Sequence, residues 1–185
     1  MPSGDGIVYQ FRISRMGRRD VWRKIEIRGD QTLGKLDRII RISFDLDTFD
    51  HLSAFYGGKR WYRSNFGTIN SFGQGDGADI PIISLGIGEG SKFGYVYDFG
   101  TEQHFHVTLQ KTRDVELEDT YFPRVIDENV KKQYYCVDCE KLGKQTPAEM
   151  VCAYCSEEES KYVYLCPKCA DGERHNDHLF DDILN

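Results

Sequence analysis

Four ligand-type pairs crowd into 43 residues near the end of the chain: Cys136-x-x-Cys139, Cys152-x-x-Cys155, Cys166-x-x-Cys169 and His175-x-x-His178. Two intervening residues let a tight turn bring both side chains onto one tetrahedral ion, so each pair is half of a zinc-type site. Four halves predict two complete sites with four protein ligands each. Such closed sites are structural, because a catalytic zinc keeps one position for water. All six cysteines of the chain fall in this stretch. The segment around them has no long apolar run, and segments this small usually need a metal or disulfide to fold alone. The expected cofactor is zinc, two ions per chain, on a module spanning residues 129–185.

Spacing leaves the pairing order open. Sequential pairing joins the first pair to the second and the third to the fourth; crossed pairing joins first to third and second to fourth. Residues 136–178 resemble the cross-brace zinc fingers of the ZZ and B-box kind. Those show two early C-x-x-C pairs, an aromatic strand into a third, then a His pair. Here Tyr162-Val163-Tyr164-Leu165 leads into Cys166-Pro167-Lys168-Cys169. The resemblance implies one site of Cys136, Cys139, Cys166 and Cys169, and another of Cys152, Cys155, His175 and His178. Iron in a rubredoxin-like site is the other metal that four thiolates suit, whereas the histidines favour zinc. A thioredoxin-type redox pair expects a βαβ setting and usually one C-x-x-C, not three.

The remainder of the chain reads as an α+β domain over residues 1–128. Ile7, Tyr9, Phe11 and Ile13 alternate, as do Val21, Ile25 and Ile27 after a turn at Gly17-Arg18-Arg19-Asp20, predicting two strands. Asp30 and Thr32 are helix-start candidates. Leu33, Leu36, Ile39, Ile40 and Phe44 recur at helical spacing, ending near Asp45. Residues 57–79, rich in glycine, read as a long polar loop with a short strand near Arg60-Trp61-Tyr62. Residues 80–85, 93–99 and 104–109 read as further strands, with a hairpin turn at Gly100-Thr101-Glu102-Gln103. This order predicts a mostly antiparallel sheet with flanking helices.

Sites of other chemistry are weaker. Gly86-Ile87-Gly88-Glu89-Gly90 precedes a strand rather than the helix that a phosphate loop must open, so it reads as a turn. Asp98-Phe99-Gly100 stands without any other kinase element. His104 and His106 share one strand face and could meet His51 or Asp98. An enzyme with a cleft near Asp98, His104 and His106 is therefore one rival reading. A second rival is nucleic-acid binding through Arg12, Arg15, Arg18, Arg19 and Arg23, with Lys24 and Arg28 beside them. Trp61, with Trp22 and Tyr62, would stack on bases. Charge bears on this. Residues 1–64 carry 13 Lys/Arg against 8 Asp/Glu, but the whole chain is at −6, where a dedicated nucleic-acid binder is expected to be basic.

Residues 1 to about 125 resemble the Ri-plasmid ORF-three-like family. The matching stretches are Tyr9-Gln10-Phe11-Arg12-Ile13, Val21-Trp22-Arg23-Lys24-Ile25, Thr32-Leu33-Gly34-Lys35-Leu36 and His51-Leu52-Ser53-Ala54-Phe55. Tyr95-Val96-Tyr97-Asp98-Phe99-Gly100 and Tyr121-Phe122-Pro123-Arg124 complete the set. The resemblance implies an α+β fold with a sheet and flanking helices, and no particular chemistry. After the Asp-Phe-Gly turn the family tends to carry an acidic residue, a Trp and a His. Here Thr101, Gln103 and Phe105 stand there. The family's Gly-rich ending with Cys-Pro-Pro-Glu-Asp gives way to the cysteine–histidine array.

No stretch approaches the roughly 18 apolar residues of a membrane helix, and Met1-Pro2-Ser3-Gly4-Asp5 opens without a secretory pattern. The expectation is a cytoplasmic protein without a membrane partner. The leading function is a non-enzymatic binding or interaction protein. Its partner is expected to be a protein, because the zinc module is acidic.

Overall fold

The structure is a computed structural model that describes residues 6–47, 49, 51–116, 119 and 121–183. The opening residues 1–5, on which the reading of the leader rested, lie outside them. The chain forms two compact units, Met1–Asn129 and Val130–Asn185.

The first unit is built on a seven-stranded antiparallel sheet. Its strands are β1 (Ile7–Arg15), β2 (Arg18–Arg28), β3 (Ser53–Tyr56), β4 (Asn65–Ile69), β5 (Lys92–Tyr97), β6 (Gln103–Asp114) and β7 (Arg124–Glu128), in the order β4-β3-β5-β6-β1-β2-β7. A helix, α1 (Leu33–Ser43), carries the chain from β2 across β1, β6 and β5 to β3. Its apolar stripe of Leu33, Leu36 and Ile40, with Phe44 just beyond, packs on Phe11, Ile13, Ile25, Phe55, Tyr95, Phe105 and Val107. Burying each such side chain contributes roughly 1.5–3 kcal/mol. The fold class is α+β, with one helix of consequence in this unit.

Several elements differ from the sequence expectation. The turn between β1 and β2 is Met16-Gly17, where Gly17 supplies the left-handed φ of 79°, so Arg18 already belongs to the strand. The strand expected over 80–85 is a 3₁₀ turn at Ile82–Leu85. Pro81 offers no N–H to a ladder, and the segment serves the start of α1 instead. The amides of Leu33 and Gly34 donate to the carbonyls of Ile80 and Ala78 at 2.9 Å each. A Cβ on Gly34 would come within 3.0 Å of the Ala78 and Gly73 carbonyl oxygens, so any other residue would have to push that backbone back. The expected loop over 57–79 contains a short helix, α2 (Trp61–Ser64), in place of the strand near residue 61, and then β4. β3 and β7 stand where the sequence predicts no strand. β3 is buried on both faces and β7 is mostly exposed, so neither carries the in–out alternation that marks a strand.

Two ion networks brace this unit. Within the core, Asp37 accepts from Arg41 at 2.9 Å, Ser53 at 2.5 Å and Tyr95 at 2.8 Å. Arg41 also donates to the His51 carbonyl and to Ser53 Oγ. On the other network, Glu26 of β2 and Asp119 are each bridged by both Arg113 of β6 and Arg124 of β7, at 2.5–2.9 Å. Burial works against the Glu26 charge, but the Arg113 and Arg124 guanidiniums outweigh it and hold its carboxyl below its ordinary value. Arg113 holds Asp119 well below as well. A carboxyl depressed in the folded state stabilises above its unfolded pKa, and the gain is lost as pH falls through the folded value. Thermal stability of this unit should therefore decline as pH drops from about 5. Glu26→Gln should lower the neutral-pH melting point and flatten that decline. Melting curves from pH 7 to 3 measure this, and an unchanged slope in Glu26→Gln would show that the network does not set acid stability.

Candidate metal centre

The second unit positions its ligand pairs by repeating one local device. Cys136 is the N-cap of α3 (Val137–Lys141), Cys152 of α4 (Ala153–Glu159) and Cys166 of α5 (Pro167–Ala170). The second cysteine of each pair falls at the third helical position, one turn on, so both sulfurs face the same side. The last pair is closed by a turn in which the His178 amide donates to the His175 carbonyl at 2.9 Å. A three-stranded sheet sets these turns beside one another. β8 (Met150–Cys152) lies between β9 (Tyr164–Leu165) and β10 (Phe180–Asp182). β8 ends in Cys152, β9 runs into Cys166, and β10 follows His178.

The eight side chains gather as two groups, Cys136, Cys139, Cys166 and Cys169, and Cys152, Cys155, His175 and His178. Each group's ligand atoms lie within 4.8 Å of one another, and each could hold a metal ion. In the four-thiol group, Cys139 Sγ lies 3.9 Å from Cys166 Sγ and 3.7 Å from Cys169 Sγ. A tetrahedron of thiolates at the zinc–sulfur distance has edges of about 3.8 Å. In the mixed group, Cys152 Sγ is 3.2 Å from His178 Nδ1 and 4.0 Å from His175 Nδ1. Cys155 Sγ is 3.5 Å from both imidazole nitrogens, which are 3.4 Å apart. Mixed sulfur–nitrogen edges of about 3.6 Å and nitrogen–nitrogen edges of about 3.4 Å are what zinc bond lengths require. All six cysteines are free thiols.

The unit's core is largely these ligands: Cys136, Cys152, Cys155 and Cys166, with Val163, Leu165 and Ala170. Burial opposes ionisation of Cys136, yet amides from the Cys166 and Cys139 turns hold its thiol down at about 7. Burial and the neighbouring Cys152 push Cys155 up to about 11. Burial and the adjoining sulfurs likewise push Cys169 up.

One group bordering the ligands is not marked by the ligand spacing. Asp138 Oδ2 accepts from His175 Nε2 at 2.9 Å, which leaves Nδ1 as the lone-pair nitrogen facing the sulfurs. Tyr154 packs its ring on His178, centroids 4.5 Å apart. A carboxylate inside a C-x-x-C turn was visible in the sequence, but nothing there says which imidazole it meets.

The residues of the rival readings meet only in part. Asp98 caps its own turn, accepting from the Gly100 amide and Thr101 hydroxyl, and faces His51 at 3.3 Å. His104 meets the Tyr56 hydroxyl at 3.0 Å and Glu102 at 3.2 Å. His106 is exposed on the same strand. Of the basic cluster, Arg23 is 2% exposed. It donates to the Ser43 carbonyl and Asn129 and lies over the Phe44 ring, so it serves the core and is not presented to a phosphate. Arg12 lies 5.0 Å over the Trp22 ring. Trp61 packs on Phe99, centroids 4.2 Å apart, beside β3, three strands away from Arg12 on β1. Arg18 pairs with Asp20 at 3.2 Å, Arg15 lies 6.0 Å over the Phe105 ring, and Arg19 is exposed. Among the described residues, no helix is long and apolar enough to cross a membrane.

Fold and site together define an α+β protein with a large antiparallel sheet and a cysteine–histidine unit able to hold metal. The chain belongs to the plasmid pRiA4b ORF-3-like protein family, whose profile matches residues 8–143. The match extends beyond the roughly 125 residues read from sequence and takes in Cys136 and Cys139; the other six ligand candidates follow it. The chain is also similar to a protein of unknown function, MM3350 from Methanosarcina mazei Go1, known from a crystal structure. Identity is 21% over 66% of this chain and 69% of that one, with a TM-score of 0.52, a likeness of fold. No curated protein matches the chain.

Proposed function

We propose that this is a zinc protein whose second unit is built by two structural ions and serves to bind a protein partner, without a catalytic step of its own. The observation that carries the reading is that the four ligand atoms of each group lie within 4.8 Å of one another, with separations of 3.2–4.0 Å spread around the edges of a zinc tetrahedron. Cys136, Cys139, Cys166 and Cys169 would hold one ion; Cys152, Cys155, His175 and His178 would hold the other. Four protein ligands fill each ion, so neither would keep a position for water or substrate. The paired imidazoles favour zinc over iron in the mixed group.

A protein partner is favoured over nucleic acid by charge. Residues 130–185 carry seven Lys/Arg against eleven Asp/Glu, which repels phosphates. Exposed Tyr154, Tyr162 and Leu179 add apolar surface. Elemental analysis of the purified protein should return about two zinc ions per chain, and the chain should pass a heparin or oligonucleotide matrix at low salt. One ion or none would overturn the two-site reading. Salt-dependent retention would overturn the choice of partner class.

A further inference from the structure

The two groups share a residue that belongs to the turn of one and the histidine of the other. Asp138 lies between Cys136 and Cys139, in the first helical turn of α3. Its Oδ2 accepts from Nε2 of His175, whose Nδ1 faces Cys155 and His178. Its Oδ1 is held by Lys141 at 2.9 Å and Arg174 at 3.1 Å. His175 is 2% exposed, so the imidazole end of this bond is shielded from competing water. We propose that Asp138 is a positioning residue that couples the two metal groups: an ion on the four-thiol group strengthens binding at the mixed group, and the reverse.

The coupling follows from the geometry and rests on the metal reading above. An ion held by Cys136 and Cys139 fixes the turn between them, and with it the direction of the Asp138 carboxylate. That carboxylate selects the His175 tautomer with the proton on Nε2 and aims Nδ1 at the sulfurs. When the four-thiol turn is loose, His175 loses its orienting partner. The linkage is reciprocal: an ion that fixes His175 also fixes the Asp138 turn, by the same factor in affinity. Lys141 and Arg174 keep the carboxylate from rotating away, as exposed pairs of small individual worth.

Cobalt(II) is the probe that resolves the two groups, because a four-thiolate ion and a two-thiolate, two-imidazole ion absorb at different visible energies. The full chain, freed of metal under reducing conditions, is titrated with cobalt, and zinc competition gives the affinity of each group. In Asp138→Ala the mixed group should bind about 10–100-fold more weakly, the loss typical when the partner of a ligating histidine is removed. The first-filling affinity of the four-thiol group should stay within about twofold. Asp138→Asn, which still offers an acceptor oxygen, should recover part of the loss. Equal weakening of both groups would mean that Asp138 only shapes its own turn, and no weakening at the mixed group would mean that it positions nothing. Either result overturns the proposal. A wild-type chain that takes up no cobalt would instead remove the metal reading on which it rests. Should Asp138→Ala fail to fold, the partial effect of Asp138→Asn on the mixed-group band decides alone.

Discussion

Stripping metal from the purified protein should unfold residues 130–185 and leave Met1–Asn129 folded. The second unit has fewer than about 60 residues, a size at which an apolar core alone is marginal, and four of the seven buried residues in its central cluster are cysteines. A structural zinc contributes apparent free energy of about 10–16 kcal/mol in small peptides near neutral pH. That equals or exceeds the total stability of an ordinary domain. Cys136→Ser should act in the same direction, because it opens the four-thiol group and leaves a buried hydroxyl among sulfurs. Hydrogen exchange read peptide by peptide is the decisive measurement. With a strong chelator present, protection should vanish from β8, β9 and α3 to α5 while β1, β2, β6 and α1 keep theirs. Undiminished protection across 130–185 would show that the unit stands without metal. The pH response has a definite sign, since thiols must shed protons to bind: metal affinity, and with it the stability of this unit, should fall as pH is lowered.

The second large effect lies in the core of the first unit. Arg41→Met should destabilise it by about 3–5 kcal/mol, the range for removing one partner of a buried ion pair. Asp37 and Arg41 are each 1% exposed. Burial pushes the Asp37 carboxyl up, against the opposing pull of Arg41 and the hydroxyls of Ser53 and Tyr95. Without the guanidinium, Asp37 would sit charged among apolar side chains or take up a proton. A carboxyl raised in the folded state loses stability as pH rises above its unfolded pKa, so the deficit of Arg41→Met should shrink in acid. Replacing the whole set, Asp37→Leu with Arg41→Met and Tyr95→Phe, should recover much of the loss, because no buried charge or orphan hydroxyl then remains. Ser53 would still reach the Ile69 carbonyl at 3.3 Å. Denaturant melts of the single and triple variants test this. A single-variant loss under about 1 kcal/mol would mean that water or a rearranged side chain compensates the carboxylate.

Much of this molecule was legible before the fold was known, where the signal is local. Strands β1, β2 and β6 alternate because one face packs on α1 while much of the other is left more open; β5 shows itself through Phe93, Tyr95 and Tyr97, although its other face is buried as well. The helix showed itself through Leu33, Leu36 and Ile40. Strand β3 stayed hidden because Ser53–Tyr56 is buried on both faces and has no alternation to read. Segment 80–85 reads as a strand on apolar content, whereas its Ile80 carbonyl accepts from Leu33 at the start of α1 and its Ile82 and Ile83 amides donate to the Gln31 and Gly29 carbonyls. The Asp37–Arg41 pair was visible as an i, i+4 spacing on a helix, which in sequence looks like any exposed ion pair. Its burial depends on β3 and β5 arriving from 12 to 58 residues away.

The sequence by itself determined the ligand pairs, because two residues between ligands close a turn wherever the chain runs. It also determined the sheet-forming alternation, since that depends only on neighbours two apart. The tertiary structure alone decided which pairs meet. The sheet β10-β8-β9 sets the Cys166 turn against the Cys136 turn and brings the His175 turn back to Cys152, which are long-range juxtapositions that spacing does not encode. For the same reason only the fold could place Asp138, a residue of one turn, on the histidine of the other.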